Sequence, residues 1–356
     1  MSMILNDTPF TAEINAGWDQ HLKPYHVVVV AAAFEARPGR PVVPAAEPAL
    51  LHAADVFHGE PGRSSVRYEA DFAPEKSRVD VLVNGSACAP GGGTAERVRV
   101  SLRVADVFKE LVISGDRERG GPLGLMPGRR PFTRMPIVYE RALGGTAGEP
   151  TTARMDVRNP TGIGYHGARS ADPDVKTDAA NVEYADGRSE PAGFGVIARH
   201  WAQRVRWAGT YDEAWTKSRC PLLPADFDPR YHQAAPTDQQ SDAIRGGEAV
   251  ELLGMTPEGN WRFKLPILDV PVHLLFVDRG ESAVLRLDTV MLEPDTYRVT
   301  LTSRVKIPMV RNRGPIRQVV IGHITSGWWR AQVTRKRYRD PRGLKGRELG
   351  RKAYRV

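Results

Sequence analysis

The run Arg97-Val-Arg-Val-Ser-Leu-Arg-Val104, followed after only Ala105 and Asp106 by Val107-Phe-Lys-Glu-Leu-Val-Ile-Ser114, decides the fold class of this 356-residue chain. In the first run the apolar side chains alternate with polar ones at a period of two, the spacing of a half-buried strand. A connection this short has no room for a helical crossover, so the strands are expected to pair antiparallel. The same grammar extends upstream through Val79 to Cys88 (VDVLVNGSAC), Ser64 to Phe72 (SSVRYEADF) and Tyr25 to Phe34. Ala89-Pro-Gly-Gly-Gly-Thr94 and Gly115-Asp116 supply turn chemistry at the ends of these runs. Short strands spaced by Gly and Pro turns predict an all-β sandwich or barrel.

Downstream the strand pattern returns at Ala249 to Leu253, Trp261 to Leu265, Val270 to Val277, Ser282 to Leu287, Thr289 to Leu292 and Tyr297 to Thr302. Glu293-Pro-Asp-Thr296 reads as a hairpin turn between the last two. Between these two blocks, about Gly120 to Gly246, periodicity is weak and aromatic residues are frequent. A disordered linker is aromatic-poor, so this segment reads as ordered, loop-rich and packed through its rings. Short helices are expected at Tyr211 to Arg219 and around Asp238 to Arg245, and a mobile loop at Asp174 to Gly187. The resulting reading is a mainly β protein, an antiparallel sandwich-like body with an aromatic-rich insertion and a basic tail. Its parts are an N-terminal β region (1–120), the insertion (121–246), strands completing the body (247–305) and a basic C-terminal extension (306–356).

Composition narrows the class. Hydrophobic residues make up 41% and charged residues 26%, enough apolar content for a sizeable core. The longest apolar run, Val27 to Phe34, is far short of the roughly 18 residues of a membrane span. The N-terminal MSMILNDTPF carries no basic and apolar secretory pattern, and two cysteines, Cys88 and Cys220, fit a reducing compartment. A cytoplasmic location is therefore expected. From Arg304 onward there are 16 Lys and Arg against two acids, leaving 34 basic and 40 acidic residues in 1–303. A mildly acidic body thus carries a strongly basic tail, an asymmetry that steers partners.

Few residue patterns in the chain point to a specific chemistry. The nine histidines are dispersed, with no HExxH and no CxxC, so neither a metal nor any other cofactor is expected. Gly91-Gly92-Gly93 has no following GK[ST], Gly162-Ile-Gly164 has no preceding strand, and GxSxG does not occur. Cys220, set between prolines and leucines, reads as a packed structural cysteine. Asp226, Asp228, Arg230 and His232 form a dense polar cluster suited to acid–base work, and equally to capping and bracing loops. Trp201, Tyr211 and Trp215 serve as either core packing or interface anchors. In the tail, Trp328 and Trp329 with Arg335, Lys336, Arg337 and Arg339 suit an acidic protein surface or, less well, nucleic acid.

Several strings in the body carry a resemblance. They include Met135-Pro-Ile-Val-Tyr-Glu-Arg-Ala-Leu-Gly-Gly-Thr146, Arg158-Asn-Pro-Thr-Gly162 and Pro191-Ala-Gly-Phe-Gly-Val-Ile-Ala-Arg-His-Trp201. Further along come Ala208-Gly-Thr-Tyr-Asp-Glu-Ala-Trp215, Pro221-Leu-Leu-Pro-Ala-Asp-Phe-Asp-Pro-Arg230 and Leu287-Asp-Thr-Val290. Over about residues 1–305 the chain resembles the bacterial family called domain of unknown function two-one-six-nine. The resemblance implies an adaptor or chaperone that helps a toxic effector mount on the VgrG spike of a type VI secretion system, often with a PAAR-repeat tip protein. It implies binding rather than turnover and supplies no catalytic residues. Its implied partners are the effector, the spike and the tip protein, with no membrane. The alternatives are an enzyme built on the Asp226, Asp228, Arg230 and His232 cluster, or a nucleic-acid binder acting through the tail.

Overall fold

Val27 to Phe34 lies inside a twelve-residue strand in which every side chain of that run is buried. Such a run needs cover on both faces of its sheet, and it has it. Val28, Val30, Ala32 and Phe34 enter the main hydrophobic core, whereas Val27 and Val29, then Ala31 and Ala33, form two smaller clusters on the opposite face with Leu51, Phe72 and Ala49. A computed structural model describes residues 3–116, 118–119, 128–147, 153–165, 177–277, 279–310, 314–336 and 354–355.

The longer strands in chain order are β1 (Met3–Asn6), β2 (Thr11–Trp18), β3 (Pro24–Glu35), β4 (Val79–Val83), β5 (Arg97–Val104), β6 (Val107–Ser114) and β7 (Val182–Tyr184). They continue with β8 (Ala249–Leu253), β9 (Asn260–Lys264), β10 (Pro271–Leu275), β11 (Gly280–Val284), β12 (Arg286–Glu293), β13 (Arg298–Pro308) and β14 (Gln318–Ile321). The α-helices are short: α1 (Ala202–Val205), α2 (Glu213–Ser218) and α3 (Ser326–Val333).

Three sheets dominate. The seven-stranded sheet has the order Gln240–Ser241, β4, β12, β13, β3, β2, with Val43–Pro44 on the far end of β3. A five-stranded sheet has the order β7, β6, β5, β8, β9, and a four-stranded one β1, β14, β10, β11. The N- and C-terminal β segments are therefore interleaved strand by strand. The first two sheets share one core, in which Val81, Leu292 and Leu301 of one join Val100, Leu102 and Leu252 of the other. Trp261 on β9 is fully buried and donates from Nε1 to the carbonyl of Ala36 at 2.6 Å, tying the sheets together. No helix among the described residues is long and apolar enough to cross a membrane.

The mainly β reading holds, and several local expectations are corrected. Pairing is not wholly antiparallel: β12 runs parallel to β4, with Thr289 beside Asp80 and Leu292 beside Val83, and β1 runs parallel to β14. Ser64 to Phe72 yields only a short strand, Val66–Tyr68, because Glu69 and Asp71 turn to polar partners described below. Asp238 to Arg245 is not a helix. A 3-10 turn at Thr237–Gln239 leads straight into Gln240–Ser241, which pairs with Asp80 and Val79. Of the expected mobile loop, 174–176 lies outside the described residues; beyond it Ala179, Ala180 and Val182 are buried and Val182–Tyr184 adds to β6. Cys220 is exposed rather than packed.

The start of the basic extension is folded. Thr325 caps α3 by accepting from the amide of Trp328, and Trp329 lies against β11. A Cβ on Gly280 would meet the Trp329 ring at 2.3 Å, so only glycine admits the indole there. Gly280→Val is expected to dislodge α3, seen as faster amide exchange over 326–333 and little change elsewhere. Tyr354 returns to the body, edge-on to Phe34 at 5.3 Å and Phe10 at 6.3 Å, while Tyr354–Arg355 pairs with Ile267–Leu268.

Candidate functional site

The insertion is fastened to the large sheet by a buried ionic web. Asp80 is a lone carboxylate in the otherwise apolar strand VDVLV, and it is fully buried. It accepts from Lys76 Nζ at 2.7 Å, from Gln233 Nε2 at 2.9 Å and from the Ala234 amide at 2.8 Å. Lys76 also meets Glu69 at 3.0 Å and Thr289 Oγ1 at 3.2 Å. Glu69 in turn holds Arg204 at 2.6 Å, and Arg204 donates to the carbonyls of Tyr231 and Ile197, both at 2.9 Å. Burial alone would raise the Glu69 pKa, but Lys76, Arg204 and Arg199 together hold it well below the usual carboxylate range.

The web positions a groove of about 610 Å³ on the insertion side. Arg78, Arg158, Arg188, Arg204, Arg206 and Arg230 line it, against the acids Glu190 and Asp238. Five of these arginines already hold a carboxylate: Asp242 at 3.0 Å, Asp156 at 2.8 Å, Asp238 at 3.7 Å, Glu69 at 2.6 Å and Asp228 at 2.5 Å, respectively for Arg78, Arg158, Arg188, Arg204 and Arg230. Arg206 is exposed and has no carboxylate partner among the described residues. Half-buried Trp207 carries two guanidinium groups, Arg230 at 3.4 Å and Arg206 at 4.8 Å from its ring centre. Arg188 sits 3.6 Å from the ring centre of Tyr184. Exposed Val205 adjoins Arg206 in the chain, and Tyr211 follows nearby, also exposed.

Exposed ion pairs contribute only about 0–1 kcal/mol each. Exchanging Asp228 or Asp242 for a partner's carboxylate is therefore nearly neutral, and the stacked aromatic faces add apolar contact area. The groove is thus suited to gripping an acidic, extended protein segment.

The residues singled out from sequence separate into different roles. Trp201 is not an anchor: it is fully buried, with Tyr139 edge-on at 5.0 Å. Tyr211 is 54% exposed and packs at 4.7 Å on Trp215, which is half-buried and donates to the Leu222 carbonyl. Trp329 is engaged with His273 at 5.2 Å as well as Gly280, and Trp328 is half-buried on α3. Arg335 donates to the Val277 carbonyl at 2.6 Å, and Lys336 is exposed. Arg337 and Arg339 lie outside the described residues.

The Asp226, Asp228, Arg230 and His232 cluster does not converge on one point. Asp226 accepts from the amide and hydroxyl of Thr210, whereas Asp228 caps the 3-10 turn Pro229–His232 and pairs with Arg230. His232 instead packs on Phe227 at 5.4 Å, with Nδ1 buried and lacking a hydrogen bond. Burial pulls its pKa down to about 3, the nearby Glu69 only partly opposing this. The folded state therefore stays neutral while the unfolded state takes up a proton below about 6.5, so folding loses up to about 1.4 kcal/mol per pH unit between 6.5 and about 3. His232→Phe is expected to flatten that acid limb; an unchanged limb in pH-dependent urea unfolding would contradict it. Among the described residues no group of three His, Cys, Asp or Glu could hold a metal ion.

Sequence reasoning missed Trp207 and Arg206 in the groove, and Glu69, Lys76 and Arg204 beneath it. The one available signal was Asp80 standing alone in an apolar strand.

The profile of one protein family, described as "Uncharacterized protein conserved in bacteria (DUF2169)", matches residues 21–304. The chain belongs to this family. The matched span includes the ionic web, the groove and most of the two larger sheets, and it stops before β14 and α3. No curated protein and no solved structure matches the chain.

Proposed function

We propose that this DUF2169 protein is an adaptor that holds a secreted effector for mounting on the VgrG spike and PAAR tip of a type VI secretion system. It acts by binding, in the bacterial cytoplasm. Family resemblance motivates the assignment to secretion. The arginine- and aromatic-lined groove is the observation that carries the binding role. Its composition, Arg with Trp and Tyr, is that of interface hot spots. A basic extension on an acidic body adds long-range steering of the partner.

The test is co-expression with the proteins encoded on either side, followed by affinity capture. The native chain is expected to retain an effector, spike or tip protein. The double variant Arg206→Glu/Trp207→Ala is expected to retain at least about tenfold less, as hot-spot losses of about 2 kcal/mol or more dictate. A chain that elutes alone from all its co-expressed neighbours overturns the proposal.

The contribution of the extension is separable by salt. Deleting it would also remove Tyr354 from the Phe10 and Phe34 cluster, so neutralisation is the cleaner change. Arg335→Gln/Lys336→Gln is expected to weaken capture at low ionic strength and to matter little at about 0.5 M salt, where screening is short-ranged. Equal weakening at both would reject electrostatic steering.

A further inference from the structure

A second cavity, of about 490 Å³, lies on the face of the large sheet turned away from the main core, and the inference drawn from it does not depend on the adaptor reading. Its floor is the outward face of β12 and β13, where Thr300, Thr302 and Arg304 follow one another at the two-residue period of a strand. Its roof is the segment from Glu47 to Asp71. That roof is fastened at several points: Arg298 Nη1 donates to the Glu47 carbonyl at 3.1 Å, the His52 amide to Asp71 Oδ2 at 2.8 Å, and Thr11 Oγ1 to the Ala49 carbonyl. The rings of His52 and Tyr68 stack at 5.1 Å, and Tyr68 donates to Glu293 at 2.5 Å. This is a built, lined space within the size range of small-molecule sites.

Arg304 is the anomaly in it. The residue is only 4% exposed, yet its guanidinium is poorly satisfied. Nε lies 2.9 Å from Asp288 Oδ2 without the alignment of a hydrogen bond, and Nη1 has no acceptor among the described residues. A guanidinium carries five donors, and a buried one normally finds acceptors for them. Lys76, the other buried cation lining the cavity, is by contrast saturated by Glu69, Asp80 and Thr289.

We infer that this cavity binds the oxyanion group, carboxylate or phosphate, of a small molecule, with Arg304 as its cationic anchor. Such a group supplies the planar or tetrahedral oxygens a guanidinium fork accepts. Thr300 and Thr302 offer hydroxyl donors beside it, and Met291 and Leu50 offer apolar contact for the rest of the ligand. Five carboxylates line the cavity and act against an anion: Glu35, Glu47, Glu69, Asp71 and Glu293. Glu35 is paired with Arg37, and Glu293 accepts from Tyr68 and faces Arg298 at 3.9 Å. Glu69 is matched by Lys76, Arg204 and Arg199. The Asp71 carboxyl accepts from the His52 amide, and burial raises its pKa.

The experiment titrates the full chain with sodium phosphate and, separately, sodium acetate, chloride holding the ionic strength constant. Thermal unfolding and calorimetry are the readouts. At least one oxyanion is expected to raise the unfolding midpoint saturably, and which one does so tells a phosphate site from a carboxylate site. The charge-removing pair Arg304→Gln/Asp288→Asn is expected to abolish the response. Because that pair is buried and its fold is at risk, Leu50→Glu provides the second arm. Leu50 is 77% exposed at the cavity mouth, so the change should leave the melting of the free chain intact. It should weaken anion binding about tenfold, or about 1.4 kcal/mol, through like-charge repulsion. If neither anion does more than chloride, or if both variants respond as the native chain does, the cavity is only a hydrated hollow and the inference falls. Partner capture should be indifferent to Leu50→Glu, which separates this outcome from failure of the adaptor reading.

Discussion

Lys76→Met is expected to cost about 3–5 kcal/mol of folding stability, because it leaves a buried carboxylate without its cation. Asp80 would keep Gln233 and the Ala234 amide but lose its only ion-pair partner among the described residues. Glu69 would keep Arg204 and Arg199, so the damage should centre on Asp80, the point where the insertion meets the sheet. Urea unfolding followed by tryptophan fluorescence gives the number, and a loss below about 1 kcal/mol would show that the web is not structural. Lys76→Met/Asp80→Asn should recover part of the loss, since removing both charges is less costly than stranding one.

The same web sets the acid behaviour. Glu69 has a folded pKa held below its unfolded value, so its stabilisation is complete above about 4.5 and disappears as pH falls toward the depressed value. Asp71 and Asp288 have the opposite sign. Burial raises both, so as pH falls each is protonated in the folded state first and stops opposing the fold. Removing Lys76 should therefore move the loss of Glu69's contribution to higher pH, in the same direction as the His232 effect.

Long strands were legible where a single rule governed them. Arg97–Val104 alternates apolar with polar residues, its turn into Val107–Ser114 is short, and burial largely follows the period of two, although in the second strand Lys109 is buried and Phe108 exposed. Ser64 to Phe72 alternates equally well, but its acids serve the ionic web and the cavity roof, and tertiary demand overrides the period. Asp238 to Arg245 looks helical locally. There Gln239 is drawn into the core to donate to the carbonyls of Val81 and Phe194, and the next two residues are taken as an edge strand. The parallel pairing of β4 with β12 joins segments some 200 residues apart, and no local signal encodes that. The groove was hidden for a related reason. Its six arginines come from five separate places in the chain, each unremarkable alone, and only folding of the insertion against the sheet brings them to one wall.

Trp201→Ala is expected to cost about 3–5 kcal/mol, the range for emptying a large aromatic site in a packed core. Trp201 has no exposed surface and sits between the insertion and the sheet core, with Tyr139 edge-on to it. Trp207, six residues on, is half-buried beside exposed arginines, so Trp207→Ala should cost far less stability and far more partner binding. The contrast makes the two tryptophans a paired control: one should fail in urea unfolding, the other in capture. Trp201→Phe sharpens the case. The indole Nε1 is buried without a hydrogen-bond partner, so phenylalanine removes an unsatisfied donor as well as volume. It should therefore cost clearly less than alanine. If Trp201→Phe proves as damaging as Trp201→Ala, the indole nitrogen has a partner in solution and the packing account of this residue is wrong.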